Sequence, residues 1–385
     1  MFVSEKNNLP FKSVQLVHSG DDYFSRLERI INDAVTEIHI QTYIFDNDAT
    51  GKRILLALKE ALKRQVKVYL LLDGFGSLSF PNEISKEFRQ AGGHIRFFSP
   101  LFSASSFYIG RRLHKKVVVA DGKVALIGGI NIANRYQGTS VERPWLDFAI
   151  EINSSIVKSI QSHCKANYYK KKSALRKTIP PIFDAEEKVM IQILQNDWLN
   201  RKSEISKAYI KSIRNATEKI TIVGSYFLPG RKLTKALLKA AKHKVKVQLI
   251  LSGVSDLPMT RRASCYLYSK LLKHNIELYE WDQSVLHGKA MVVDGSWTTI
   301  GSFNLNNLSS YASIEMNVGI ESPAFAALFE EELQQILLQS QKITSESFQT
   351  RNTISSKISN ALSYYITRGI EIIVTYLPYK RFNHS

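Results

Sequence analysis

Two stretches of this chain carry the same sparse set of reactive side chains. The first runs His114, Lys116, Asp121, then Gly128, Gly129 and Asn131. The second runs His287, Lys289, Asp294, then Gly301, Ser302 and Asn304. An imidazole serves as a nucleophile or as a general acid or base. A lysine and an Asn amide beside it supply positive charge and donors for phosphoryl oxygens. One copy is not a complete acid–base pair. Two copies across a pseudo-twofold axis are: one histidine attacks, the other protonates the leaving group. A single His-x-Lys-x4-Asp is a weak match, but two in register, each followed by Gly-x2-Asn, are a strong one. The remaining histidines have no such context and read as structural or surface residues.

The elements around these residues must bring them together. Side chains at i and i+2 of a strand share a face, so His114 points with Lys116 and His287 with Lys289. Asp121-Gly122 and Asp294-Gly295 are type I′ hairpin signals. A two-residue loop there sets Gly129 opposite His114 and Ser302 opposite His287, with Asn131 and Asn304 ending the return strands beside the histidines. Asp121 and Asp294 complete the motif, but seven residues from the histidine they fall on the opposite strand face and read mainly as turn-fixing residues. Upstream, EIHIQTYIFDNDATGKRILLALKEALKRQVKVYLLLDG (37–74) and EKITIVGSYFLPGRKLTKALLKAAKHKVKVQLILSG (218–253) follow one plan. Each is a β-branched run ending in aromatics, a Leu/Ala/Lys-rich helical stretch, then a buried-type strand. That is β-α-β, the unit of a parallel sheet. The expected class is α/β: two tandem α/β/α repeats, 1–179 and 180–322, joined near Pro180-Pro181, with the site at their interface and a helical segment at 323–385.

Composition narrows the partners. The chain has 385 residues, 44% hydrophobic and 22% charged, which excludes a mainly disordered protein. Its 52 Lys and Arg against 34 Asp and Glu give a net charge of +18. Such a surface seeks polyanions, either nucleic acid or a membrane rich in anionic lipid. Cys164 and Cys265 are lone and far apart, so neither a disulfide framework nor a zinc cluster is expected. The N-terminal stretch has no apolar signal region, and no segment approaches the ~20 apolar residues of a transmembrane helix.

The double HxKxxxxD at His114–Asp121 and His287–Asp294 resembles the phospholipase D superfamily. The likeness extends over roughly residues 12–322, through QTYIFDNDATGKRI, VYLLLDGFGS, LHKKVVVADGKVALIGGINIANRY, SYFLPGRKLTKAL, RRASCYLYSKLL and LHGKAMVVDGSWTTIGSFNL. It is closest to bacterial cardiolipin synthases of the short type without N-terminal transmembrane helices. The resemblance implies phospholipase D-like repeats and a ping-pong reaction needing neither metal nor cofactor. By the family pattern His114 forms a phosphatidyl-histidine, and His287 protonates the leaving glycerol and then activates a second phosphatidylglycerol. It also implies that Lys116, Lys289, Asn131 and Asn304 hold the phosphate, and that Asp147 and Glu315 match the carboxylates that steady the histidines. Gly129 stands where the second repeat has Ser302, so the hydroxyl contact is expected on one side only. The implied partners are phosphatidylglycerol and the membrane surface, without nucleic acid or an obligate protein partner, at the periphery of the cytoplasmic membrane. A hydrolytic phospholipase D is the nearest alternative, and a nucleic-acid phosphodiesterase on the same scaffold is the other.

Two further segments suit a membrane. SPLFSASSFYIGRR (99–112), just before His114, offers apolar side chains followed by Arg111 and Arg112. ALSYYITRGIEIIVTYLPYKRFNHS (361–385) is too short and too charged to span, with tyrosines toward both ends and Lys380-Arg381 beyond. It is expected to be an interfacial anchor.

Overall fold

Runs of buried apolar residues dictate two sheets of the same design. The computed structural model describes residues 11–99 and 112–376, with the backbone at 102–103 and 106–107. The first half forms β1 (Val14–His18), β2 (Glu37–Thr42), β3 (Lys67–Asp73), β4 (His94–Phe98), β5 (Lys116–Ala120), β6 (Val124–Gly128) and β7 (Phe148–Ile152). The second forms β8 (Val189–Asp197), β9 (Lys219–Gly224), β10 (Lys246–Ser252), β11 (Glu277–Trp281), β12 (Lys289–Val293), β13 (Trp297–Gly301) and β14 (Ser313–Glu321). The first sheet is ordered β1-β7-β6-β5-β2-β3-β4. Within the second, β8-β14-β13-β12-β9-β10-β11 repeats that order strand for strand, with short strands added at its margins. The α/β duplication read from the sequence is therefore the architecture.

The parallel steps β2–β3 and β9–β10 are the expected β-α-β units. Their crossovers are helices Ala49–Lys63 and Arg231–Lys242. These bury Ile54, Leu58 and Leu62, and Leu233, Leu237 and Ala240, at the three-to-four spacing that makes one apolar stripe. The first helix is capped by Asp48, which accepts from the Gly51 N–H.

The sheets face each other across one shared core. Val117, Val119, Phe148 and Ile150 of the first pack with Ala290, Val292, Met316 and Val318 of the second. Helices Ile156–Tyr168 and Pro323–Gln339 flank this layer in equivalent places, adding Val157 and Ile160, and Phe325 and Phe329. Phe148 and Phe329 meet edge to face at 5.2 Å. Emptying such a buried aromatic position costs about 3–5 kcal/mol, so the interface that carries the site is also a major source of stability. The outer face of each sheet has its own cluster. Cys164 and Cys265 are free and buried, as small apolar residues.

One expectation about register is corrected. Asp121 and Gly122 do take left-handed φ (54° and 64°), as do Asp294 and Gly295 (49° and 53°). Yet Ala120 pairs with Val124 and Val293 with Trp297, so each loop holds three residues rather than two. Lys123 and Ser296 are the extra ones, and the return strands slide by one position. Lys116 thus pairs with Gly128, and Gly129 does not face His114. Among the described residues, no helix is long and apolar enough to cross a membrane.

Candidate active site

Each histidine leaves its own hairpin to be held by the other repeat. Arg112–Leu113 runs parallel to β14, and the N–H groups of His114 and Lys115 both donate to the Ile314 carbonyl. In mirror fashion Leu286 bridges Leu146, and the N–H groups of His287 and Gly288 donate to the Leu146 carbonyl. The residue after each acceptor is the carboxylate singled out in the sequence. His114 Nδ1 lies 3.0 Å from Glu315 Oε2, and His287 Nδ1 lies 2.5 Å from Asp147 Oδ2. The pairs are crossed: each histidine is steadied by the acid of the opposite repeat. A carboxylate on Nδ1 holds the proton there and leaves Nε2 as the reactive atom.

The lysines lie beneath. Lys116 and Lys289 are buried, and each donates to the carbonyl of its own histidine. Tyr43 and Tyr226, the aromatics that end the first strand of each β-α-β unit, line the same space. Lys116 Nζ stands 5.4 Å from the Tyr43 ring and Lys289 Nζ 5.8 Å from that of Tyr226. Lys289 also donates to Ser225 Oγ at 3.2 Å, which in turn donates to Asn304 Oδ1 at 2.9 Å. Asn131 accepts from the Ile44 N–H at 3.0 Å and donates to Tyr136 Oη at 2.7 Å.

Burial favours the neutral form of the groups in this site. It pushes the Lys116 ammonium down to about 7 and that of Lys289 to about 8. It lowers His114, and it lowers His287 further, helped by the positive charges of Lys289 and Lys116. It raises Asp147 to about 7. Two lysines and two histidines whose charged forms are disfavoured by burial make a pocket that an entering anion would stabilise.

Gly129 and Ser302 differ for a steric reason. A Cβ on Gly129 would sit 2.4 Å and 2.5 Å from the two Asp147 carboxylate oxygens. In the second repeat the Ser302 hydroxyl donates to Glu315 Oε2 at 2.5 Å, the same oxygen that meets His114. The one-sided hydroxyl contact is therefore present. Asp121 and Asp294 are not brought to this place. They lie at the far ends of β5 and β12, accepting backbone N–H groups of Val35, Thr36 and Glu37, and of Thr217, Glu218 and Lys219.

Some neighbours were not legible in the motif. Tyr136 Oη lies 3.3 Å from His287 Nε2, and the Trp145 ring is 5.8 Å from the imidazole. His114 has the Tyr43 ring 5.1 Å away and is the more open of the two: 14% of its side chain is exposed, against 5% for His287. Aligning the two repeats on Asn131 and Asn304 places Ser309 opposite Tyr136, so the internal comparison that found the other residues passes over this one. The segment 99–112 lies for the most part outside the described residues.

A family model described as "Cardiolipin synthase, PLD-like domain" matches residues 27–164 and 209–337. The chain is 30% identical over 373 residues to cardiolipin synthase B of Escherichia coli strain K12, covering 95% of this chain and 90% of that protein. It is 27% identical over 359 residues to the minor cardiolipin synthase ClsB of Bacillus subtilis strain 168, covering 92% and 89%. Its fold is similar to that of phosphatidylserine synthase from Haemophilus influenzae Rd KW20, with a TM-score of 0.75 at 15% identity over 95% of this chain and 96% of that one. Matched in both repeats and along nearly its whole length, the chain belongs to the phospholipase D-like cardiolipin synthase family.

Proposed function

We propose that this protein makes cardiolipin by moving a phosphatidyl group from one phosphatidylglycerol to another, releasing glycerol. The observation that carries the reading is the pair of crossed histidine–carboxylate contacts flanked by two buried lysines, in a chain of this family. The phosphodiester anion binds between Lys116 and Lys289, with the amides of Asn131 and Asn304 turning to its oxygens. Its charge favours the protonated forms of the lysines and of His287, which burial disfavours.

His114 is the nucleophile, favoured by its more open imidazole and by Nδ1–H fixed on Glu315. Its Nε2 attacks phosphorus, the bond to the glycerol oxygen breaks, and His287 gives that oxygen its proton. The product is a phosphatidyl-histidine. A second phosphatidylglycerol then enters. Neutral His287 takes the proton of its hydroxyl, the oxygen attacks phosphorus, and the P–N bond breaks. Asp147 and Glu315 orient the rings and balance each imidazolium as it forms. Asp121 and Asp294 support the reaction only by fixing the hairpins.

In domain terms, we propose repeats at 1–179 and 180–322, with 323–385 as a helical addition whose first helix seals the inter-sheet core. The enzyme works at the periphery of the cytoplasmic membrane, on anionic phospholipid and without an obligate protein partner. Mass spectrometry of products from purified protein and phosphatidylglycerol tests the activity. Cardiolipin with released glycerol is the expected result. Phosphatidic acid alone would replace transfer by hydrolysis.

A further inference from the structure

The helix Ile354–Tyr376 is amphipathic in the opposite sense to a soluble surface helix. Its charged pair faces inward: Arg368 bonds Glu371 at 2.8 Å and donates to the Pro229 carbonyl. Glu371, almost fully buried, accepts from the Asn307 side chain at 3.2 Å. Tyr364 stacks on Tyr266 at 4.5 Å, and Val374 is buried. The outward face carries Ile358, Leu362, Tyr365, Ile366, Ile370 and Ile373, each at least 43% exposed. Their three-to-four spacing makes one apolar stripe about 22 Å long, at 1.5 Å per residue.

The helix is linked to the active site through one packed helix and the loop before it. Helix Ile354–Tyr376 packs along helix Pro258–Cys265, which follows Leu257 directly. Leu257 and Val254, on the loop after β10, are both about half exposed. At the end of β10, Ser252 Oγ donates to the Leu286 carbonyl, next to His287, at 3.4 Å. The first repeat copies this rim. After β3, Phe75 and Leu78 are exposed, and Asp73 accepts from the N–H of Leu113, next to His114, at 2.8 Å. Exposed apolar side chains thus follow the two strand ends that bond the residues just before the histidines.

We propose that these rim loops and the outward face of helix Ile354–Tyr376 form one docking face for an anionic bilayer, the stripe lying among acyl chains with the active-site mouth turned to the lipid. The proposal deepens the lipid-transfer reading and rests on it. Charge selects the occupant. Arg231 and Lys232, just past Pro229, and Arg262, on the supporting helix, are exposed cations on segments that contact this helix, and the whole chain carries +18. A second copy would set like charge against like charge, whereas anionic head groups neutralise it. Lys380 and Arg381, which follow in the sequence outside the described residues, add to the same sign.

The test uses the full chain with vesicles of phosphatidylglycerol and phosphatidylcholine, and of phosphatidylcholine alone. Ile366→Glu with Ile373→Glu should weaken binding to the anionic vesicles by at least about tenfold, since it removes two apolar side chains from the acyl region. Cardiolipin synthesis in detergent micelles, which needs no bilayer, should persist. As a gain-of-signal check, tryptophan fluorescence of Ile370→Trp should be quenched by acyl-brominated lipid in phosphatidylglycerol vesicles. Unchanged vesicle affinity of the double variant, or fluorescence indifferent to brominated lipid, overturns the proposal. So does a wild-type dimer that the double variant splits while vesicle binding is unaltered. If the wild type makes no cardiolipin in micelles, the lipid-transfer reading fails, and the vesicle titration still judges the docking face.

Discussion

Gly129→Ser places in the first repeat the residue that the second carries at Ser302. The main chain at Gly129 has no left-handed φ, so the substitution acts by volume alone. The new Cβ would lie 2.4 Å and 2.5 Å from the Asp147 oxygens. A carbon and an oxygen not bonded to each other need roughly 0.8 Å more, so the carboxylate must retreat by about that distance. It retreats from the 2.5 Å contact with His287 Nδ1, the contact that holds the acid–base imidazole. Misplacing a reacting group by ~1 Å costs about 10²-fold in rate, so kcat for cardiolipin formation should fall roughly a hundredfold with little change in KM. Overpacking also costs about 1–3 kcal/mol of stability, visible as a lowered Tm. Ser302→Gly is the converse. It removes one charge-assisted hydrogen bond to Glu315 and displaces nothing, so a roughly tenfold loss is expected. The assay is steady-state synthesis in mixed micelles, with thermal melting alongside. If folded Gly129→Ser turned over like wild type, Asp147 would not be positioning His287, and the crossed arrangement would have no catalytic meaning.

Three other outcomes follow from the same site. His114→Ala and His287→Ala should each lower kcat by several orders of magnitude, with the double variant little worse, because the two act as one unit; single-turnover kinetics with phosphatidylglycerol will read this. Lys116 and Lys289 are held down to about 7 and 8 by burial, so they lose their protons as pH rises through those values. KM for phosphatidylglycerol should therefore climb above pH 7, and calorimetry in buffers of different ionisation heat should show proton uptake on binding at pH 8. Tyr136→Phe removes the hydroxyl beside His287 and leaves the buried Asn131 amide without that partner. A fall in kcat of about tenfold, with the fold intact by circular dichroism, is expected from a group left unpaired at ~1–3 kcal/mol.

Much of the protein is written locally in its sequence. The duplication, the β-α-β units and the reactive set from His114 to Asn131 and from His287 to Asn304 depend on spacings of a few to a few tens of residues. Strand and helix periodicity translate such spacings directly into faces. Asp147 and Glu315 were legible because each follows its motif at a similar distance. Their pairing was not. Glu315 serves a histidine 201 residues away and Asp147 one 140 residues away, and no local period says which strand end will meet which. That was decided when the two apolar sheet faces closed on each other and β14 received Arg112–Leu113. The hairpin register likewise turned on a third loop residue, which the Asp-Gly signal does not count. Tyr136 has no counterpart in the second repeat, where the matching position holds Ser309, so internal comparison does not mark it. The charges Arg368 and Glu371 look in the sequence like interruptions of an apolar helix. Packing turned them inward onto Pro229 and Asn307, because a buried ion pair needs polar partners that only the folded second repeat supplies.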